Sequence, residues 1–286
     1  MKNLLSLALV LALGLMATGA VAESKVISYE SRGVQVPATL VTPDGVEEYP
    51  VVVMCHGHGG SREENVGFAA VADALAAQGV ASIRMDFPGC GESSESFQMN
   101  TLTNMEADVL AAIDYVQANL SVSKIGMFGY SMGGRIVLEL LANGTPADAV
   151  VLLAPAADTA DLKELFGGAE AFDMMEADAE ENGYVTFITI YGQTQELSKE
   201  WFADLQKIEN PAEAAATAWN GAALVIWGSD DEAVSPSISE SVATALNAQT
   251  QDATGEGHGY GFYSEDDTVR NLVASSAADF FAANLK

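Results

Sequence analysis

Positive charge is what this chain has least of. Twelve Lys and Arg stand against 40 Asp and Glu, a net charge of −28. Phosphate backbones and anionic lipid headgroups are bound through clustered Lys and Arg, so no nucleic-acid or membrane-surface partner is expected. Charge of either sign is sparse: 18% of residues are charged, against roughly 25% in ordinary soluble domains, while 49% are hydrophobic. A disordered acidic tail has the opposite balance. Cysteine is nearly missing. Cys55 and Cys90 lack C-x-x-C spacing, which argues against a redox motif or a zinc ribbon. Two buried thiols are the plain reading; a Cys55–Cys90 bridge, which needs Cα atoms within about 7 Å, is left open by the sequence. With only three histidines, candidates for a general base are few.

Long apolar runs occur only at the start. Lys2 supplies a positive charge, residues 4–16 are almost wholly apolar, and Ala20-Val21-Ala22 places small residues at both cleavage-recognition positions. Residues 1–22 therefore read as a signal peptide cut between Ala22 and Glu23, and the chain as exported, to a periplasm or the medium. The run falls short of the ~20 residues a spanning helix needs, so no membrane anchor is expected after its removal.

Residues 23–286 alternate strand-like and helix-like segments. Residues 26–29 and 34–41 read as an antiparallel pair joined at Ser31-Arg32-Gly33, and 51–54 as a strand buried on both faces. Then come a helix over 68–78 closed by Gly79, a strand over 80–85, and a helix from Leu102 to Leu120 capped by Thr101 or Thr103. Strands over 124–128 and 149–153 flank a helix over 133–142. From 155 to about 221 the rhythm breaks into a mostly helical stretch with one β-like piece at 184–191. A last strand at 224–227 and helices over 235–247 and 269–283 complete the chain. Such alternation implies an α/β fold, a mostly parallel, doubly wound sheet with a short cap insert after the sixth strand.

The sharpest motif is Gly129-Tyr130-Ser131-Met132-Gly133, set between a strand and a helix. A nucleophile on so tight a turn needs residues without bulk two before and two after it, and Gly129 and Gly133 supply them. The turn lifts the Ser131 hydroxyl above the strand ends, over a helix N-terminus that favours developing negative charge. Serine needs a base. His258 lies in a Gly-rich loop before the final helix, and the chain order serine, acid, histidine favours it over His56 and His58. His56 reads better as a histidine that ties down its own loop. His56 and His58 have no third ligand spaced nearby, so no metal and no cofactor are expected. Their Gly-rich loop has a separate use: the backbone N–H groups of His58 and Met132 can converge on an oxyanion. The acid should follow the strand at 224–227, where Asp230, Asp231 and Glu232 compete and spacing alone leaves the choice open.

Taken together, Cys55-His56-Gly57-His58-Gly59-Gly60, the Asp86-to-Ser93 run, the Ser131 motif, the run from Gly228 to Pro236 and Gly255-to-Tyr260 resemble the α/β-hydrolase superfamily. Among its members the chain is most similar to serine esterases of the cinnamoyl/feruloyl type. The resemblance implies Ser131 as nucleophile, Asp231 as acid, His258 as base, and His58 and Met132 as oxyanion donors. It implies a small-molecule ester as substrate. The 155–221 insert falls on the side where the strand ends carry these groups, so it is expected to roof the pocket, with Met174, Met175, Phe187, Trp201 and Phe202 as candidate lining. A serine peptidase or a lactonase on the same fold is the alternative enzyme, although dienelactone-type lactonases usually carry cysteine where Ser131 stands. A non-catalytic binding module would need none of the three groups. Oligomeric state is left open.

Overall fold

The computed structural model describes residues 22–189 and 192–286, so the expected signal peptide, apart from Ala22, lies outside the described residues. The first hairpin forms as the sequence implies. Strands β1 (Glu23–Ser31) and β2 (Val34–Thr42) pair antiparallel around Arg32-Gly33. Both turn residues have positive φ, 53° and 81°, the twist that suits a two-residue hairpin.

Beyond it the chain winds β3 (Tyr49–Cys55), α1 (Gly67–Ala77), β4 (Ala81–Met85), α2 (Leu102–Asn119), β5 (Val122–Tyr130), α3 (Met132–Ala142) and β6 (Ala149–Leu153). After the insert come β9 (Ala222–Gly228), α8 (Pro236–Ala245), β10 (Gln249–Ala253) and α9 (Thr268–Leu285). The sheet order is β1-β2-β4-β3-β5-β6-β9-β10, parallel from β4 onward. β3 shows why the central strands are apolar throughout. Val51, Val53 and Cys55 enter the core shared with α2 and α3, while Val52 and Met54 enter the core beneath α1 and α9. Helices thus cover both faces, and every strand side chain there needs an apolar neighbour.

Capping follows the sequence closely. Thr101 accepts from the Asn104 N–H at 3.2 Å to start α2, and Gly79, at φ 72°, follows the last residues of α1. Strand β10 departs from expectation, since the sequence reading ended the strands at 227. Its residues, Gln249-Thr250-Gln251-Asp252-Ala253, are mostly exposed at the sheet edge, so no apolar alternation marks them. Pairing with β9 makes the strand.

The insert begins after β6 with α4 (Thr159–Leu165) and α5 (Ala169–Asn182), then the hairpin β7 (Tyr184–Ile188) and β8 (Thr194–Ser198), then α6 (Lys199–Leu205). The β-like stretch expected at 184–191 is therefore one arm of a hairpin, and its last two residues lie outside the described residues. Helix α7 (Pro211–Ala218) packs along α3 and returns the chain to β9. Fully buried Arg135 on α3 fastens this segment to the body, donating to Glu139 at 2.7 Å and to the carbonyls of Leu205 and Ile208 at 3.2 and 3.0 Å. Both cysteines are buried and free, and no disulfide joins them.

Candidate active site

Ser131 joins β5 to α3 at φ 53°, ψ −117°, a conformation that L-residues adopt only when their surroundings enforce it. The glycines around it are steric necessities. A Cβ on Gly129 would stand 2.5 Å from the Gly133 carbonyl oxygen, and one on Gly133 would stand 2.0 Å from that of Cys55. The first would force β5 and the start of α3 apart, and the second would push the turn away from the end of β3. The hydroxyl is thereby held over the carboxyl ends of the parallel strands, where open α/β sheets bind ligands.

His258 approaches from the loop after β10. Its Nε2 lies 3.0 Å from Ser131 Oγ and its Nδ1 lies 2.8 Å from Asp231 Oδ2. A carboxylate can only accept, so Nδ1 carries the proton and Nε2 accepts from the hydroxyl. Asp231 is 4% exposed and takes four bonds: Ala233 and Val234 N–H on Oδ1, both at 2.9 Å, and His258 and Tyr260 on Oδ2. Burial alone would raise its pKa. The donors outweigh it, those of His258 most, and hold the carboxyl below its ordinary value. The flanking acids left open by spacing separate at once, since Asp230 and Glu232 are exposed.

Tyr260 was not singled out by the sequence. Its hydroxyl donates to Asp231 at 2.7 Å and accepts from the Gly228 N–H at 3.0 Å, and burial raises its pKa so that it stays a donor. Tyr130 is a second such residue, donating to the His258 carbonyl at 2.5 Å with its ring tilted 5.2 Å from the imidazole. Both lie inside the motif runs, Tyr130 beside Ser131 and Tyr260 two residues after His258, but those runs assign them no role. What the fold adds is their hydrogen bonds, which reach across to other segments.

The two other histidines differ in role. His56 is buried beside Phe87, whose N–H donates to Nε2 at 3.1 Å, while Nδ1–H donates to the Gly57 carbonyl at 2.8 Å. Burial lowers its pKa, and it ties the loop down as the sequence implies. His58 points toward the insert, where Nε2–H donates to Gln195 Oε1 at 2.8 Å among the rings of Phe97, Phe166 and Trp201. Burial pushes its pKa down to about 4, so the ring is neutral. Asp86, first residue of its motif, braces the same loop: it accepts from the Arg62 N–H at 2.7 Å, the Glu92 N–H at 2.9 Å and the Arg62 guanidinium.

A cavity of about 600 Å³ opens over Ser131 and His258. The insert contributes Leu162, Leu165, Phe166 and Phe187 to its wall. Of the residues proposed from sequence as lining, only Phe187 reaches it. Trp201 and Phe202 are 1% exposed and pack the insert to the body, Met175 packs against that core, and Met174 faces outward. Among the described residues no cluster of three or more His, Cys, Asp or Glu could hold a metal ion. An imidazole bridging a buried carboxylate and a serine hydroxyl can take the proton of that hydroxyl as it attacks a carbonyl.

Residues 50–205 match the family model described as alpha/beta hydrolase fold. The esterase EstD of Thermotoga maritima is 27% identical over 138 residues, 46% of this chain and 33% of EstD. The quorum-quenching protein AidA of Acinetobacter baumannii is 29% identical over 135 residues, 46% of this chain and 44% of AidA. The chain thus spans less than half the length of either curated relative. Among solved structures, Est1E from Butyrivibrio proteoclasticus with ferulic acid bound superposes with a TM-score of 0.72 at 24% identity, covering 90% of this chain and 98% of that one. The likeness extends over nearly the whole described chain and is one of fold.

Proposed function

The chain belongs to the alpha/beta hydrolase fold family, and from that premise we propose that it is an exported serine hydrolase of small carboxylic esters. The observation that carries the reading is the hydrogen-bonded run Ser131–His258–Asp231, 3.0 and 2.8 Å, beneath an apolar-walled cavity. In this account Ser131 Oγ attacks the ester carbonyl carbon while its proton passes to His258 Nε2. Asp231 holds the imidazolium. The carbonyl oxygen, now an oxyanion, turns toward the N–H groups of Met132, first residue of α3, and His58. As the tetrahedral intermediate collapses, His258 returns the proton to the departing alkoxide, and the acyl group stays on Ser131. Water then repeats the sequence, giving up a proton to His258 and releasing the acid.

The reaction needs no cofactor. Feruloyl or cinnamoyl esters are the proposed substrates, with other small esters beside them. The apolar wall of Leu162, Leu165, Phe166 and Phe187 suits an aromatic acyl group, and Est1E holds ferulic acid on a similar fold. Export rests on residues 1–22, and cleavage after Ala22 would leave β1, which starts at Glu23, whole. A panel of matched esters and amides tests the reading. Turnover of esters, abolished by a fluorophosphonate, supports it. Hydrolysis of the amides alone would assign a peptidase, and absence of both reactions would point to a binding module.

A further inference from the structure

Glu64 is a buried carboxylate that the proposed chemistry does not use. It is 2% exposed, yet it lines the cavity with Gly60, Tyr130 and Tyr263. Its Oε1 accepts from the Gly57 N–H at 2.8 Å, and its Oε2 accepts from the Tyr263 hydroxyl. Gly57 in turn packs against the nucleophile, because a Cβ there would stand 3.4 Å from Ser131 Cβ. The carboxylate is thus bonded to a residue that abuts the serine.

Three features show that the fold holds it there at some cost. Glu64 and Asn65 have positive φ, 40° and 56°, a conformation unfavourable for side chains other than glycine. Asn65 locks this turn by donating to the Phe262 carbonyl at 2.9 Å. Gly60 leaves the needed room, since a Cβ on it would lie 2.1 Å from Oε1. The third feature is electrostatic. Among the described residues no ion pair includes Glu64. The neighbouring arginines are engaged elsewhere, Arg62 with Asp86, Glu92 and Glu63, and Arg84 with Glu63. A carboxylate out of water with only neutral donors gains strongly from a cation.

We propose that the Glu64 wall of the cavity receives a cationic group of the substrate, making the preferred ester one that carries an ammonium beside a neutral acyl part. The inference rests on the esterase reading. Two phenol rings line the same wall, and the face of Tyr263, 61% exposed, gives an alkylammonium a second attraction through its ring quadrupole. The net charge of −28 draws cations toward the protein and repels anionic esters, which adds to encounter but cannot choose a position within the cavity.

The test compares two acetate esters of one shape, the choline ester and its neutral isostere, 3,3-dimethylbutyl acetate. Wild-type protein should favour the choline ester in kcat/KM by roughly ten- to a hundred-fold, the range that charge-assisted contacts command. Glu64→Gln keeps an acceptor for the Gly57 N–H and should bring the ratio close to one. Because the ratio is read within one protein, a uniform loss of activity cancels. Equal rates for the two esters in the wild type overturn the inference and leave the esterase reading standing. A ratio unchanged in Glu64→Gln also overturns it, because the preference then belongs to the overall field. If that variant does not fold, tetramethylammonium should inhibit the wild type competitively where neopentyl alcohol does not, and equal inhibition overturns the inference. Turnover of neither ester, nor of any aryl acetate, would count against the esterase reading itself.

Discussion

His58 and Gln195, 137 residues apart, join the Gly-rich loop to the insert through one hydrogen bond of 2.8 Å. The contact is sealed, with Gln195 2% exposed and His58 Nδ1 buried without a partner. Beside it the Gln193 amide donates to the Gly59 carbonyl at 3.3 Å. Hairpin β7–β8 thus touches the loop at two successive residues, one of which is the proposed oxyanion donor.

Removing that bond should disturb catalysis more than binding. Gln195→Ala leaves both imidazole nitrogens buried without partners and frees the loop to shift. We expect kcat to fall about tenfold with KM little changed, the cost of an unsatisfied buried donor. Gln195→Glu retains an acceptor and should restore most of the rate. Steady-state kinetics on one small ester decide it, and a wild-type kcat in Gln195→Ala would remove the hairpin from the account.

Asp231→Asn should lower kcat by on the order of 10⁴, because an amide can no longer dictate which imidazole nitrogen carries the proton. Asp230→Asn should change it by less than about threefold, since that side chain is exposed and, among the described residues, its side-chain bond is to its neighbour Ser229. Measured kcat values for the two variants check the assignment, and an exchange of their effects would shift the acid by one residue.

How far sequence could see is clear from these residues. The Ser131 turn was legible because its glycines answer a local steric demand, and chain order then singled out His258. Asp231 needed the family resemblance, because burial, which separates it from Asp230 and Glu232, is a property of the folded chain. The roles of Tyr260 and Glu64 were not legible for the same reason: each depends on partners brought by distant segments. Strand β10 was missed because an exposed edge strand carries no apolar period. Five bulky insert residues looked alike as lining, and only packing distinguishes Phe187, which faces the cavity, from Trp201, which anchors the roof.

Substrate selectivity should follow the insert. Phe187→Ala opens the apolar wall, so kcat/KM for cinnamoyl-sized esters should drop about tenfold while acetate esters hold within about twofold. An ester panel measures this. Equal losses across the panel would show that Phe187 supports the fold rather than the pocket.

Stability should carry its own pH signature. Burial, with Glu139 beside it, raises the Glu106 carboxyl to about 8. A raised acid keeps its proton in the folded protein while the unfolded chain releases it. Stability is therefore lost as pH rises from the ordinary value near 4.5 toward 8. Glu106→Gln removes that loss, and its Tm relative to wild type should be higher at pH 8 than at pH 5 by about 3 °C. Scanning calorimetry at the two values checks the sign. Asp231, held low, acts in the opposite sense: its contribution is present above the ordinary carboxylate value and vanishes as pH falls through its own.

Everything proposed for this site depends on Ser131 attacking the substrate. Ester turnover by purified Ser131→Ala, with folding verified by circular dichroism, tests it most directly, because alanine fits the turn and removes only the hydroxyl. If Ser131 is the nucleophile, kcat falls on the order of 10⁴-fold or more with the fold intact. Near-wild-type turnover by the folded variant would contradict it.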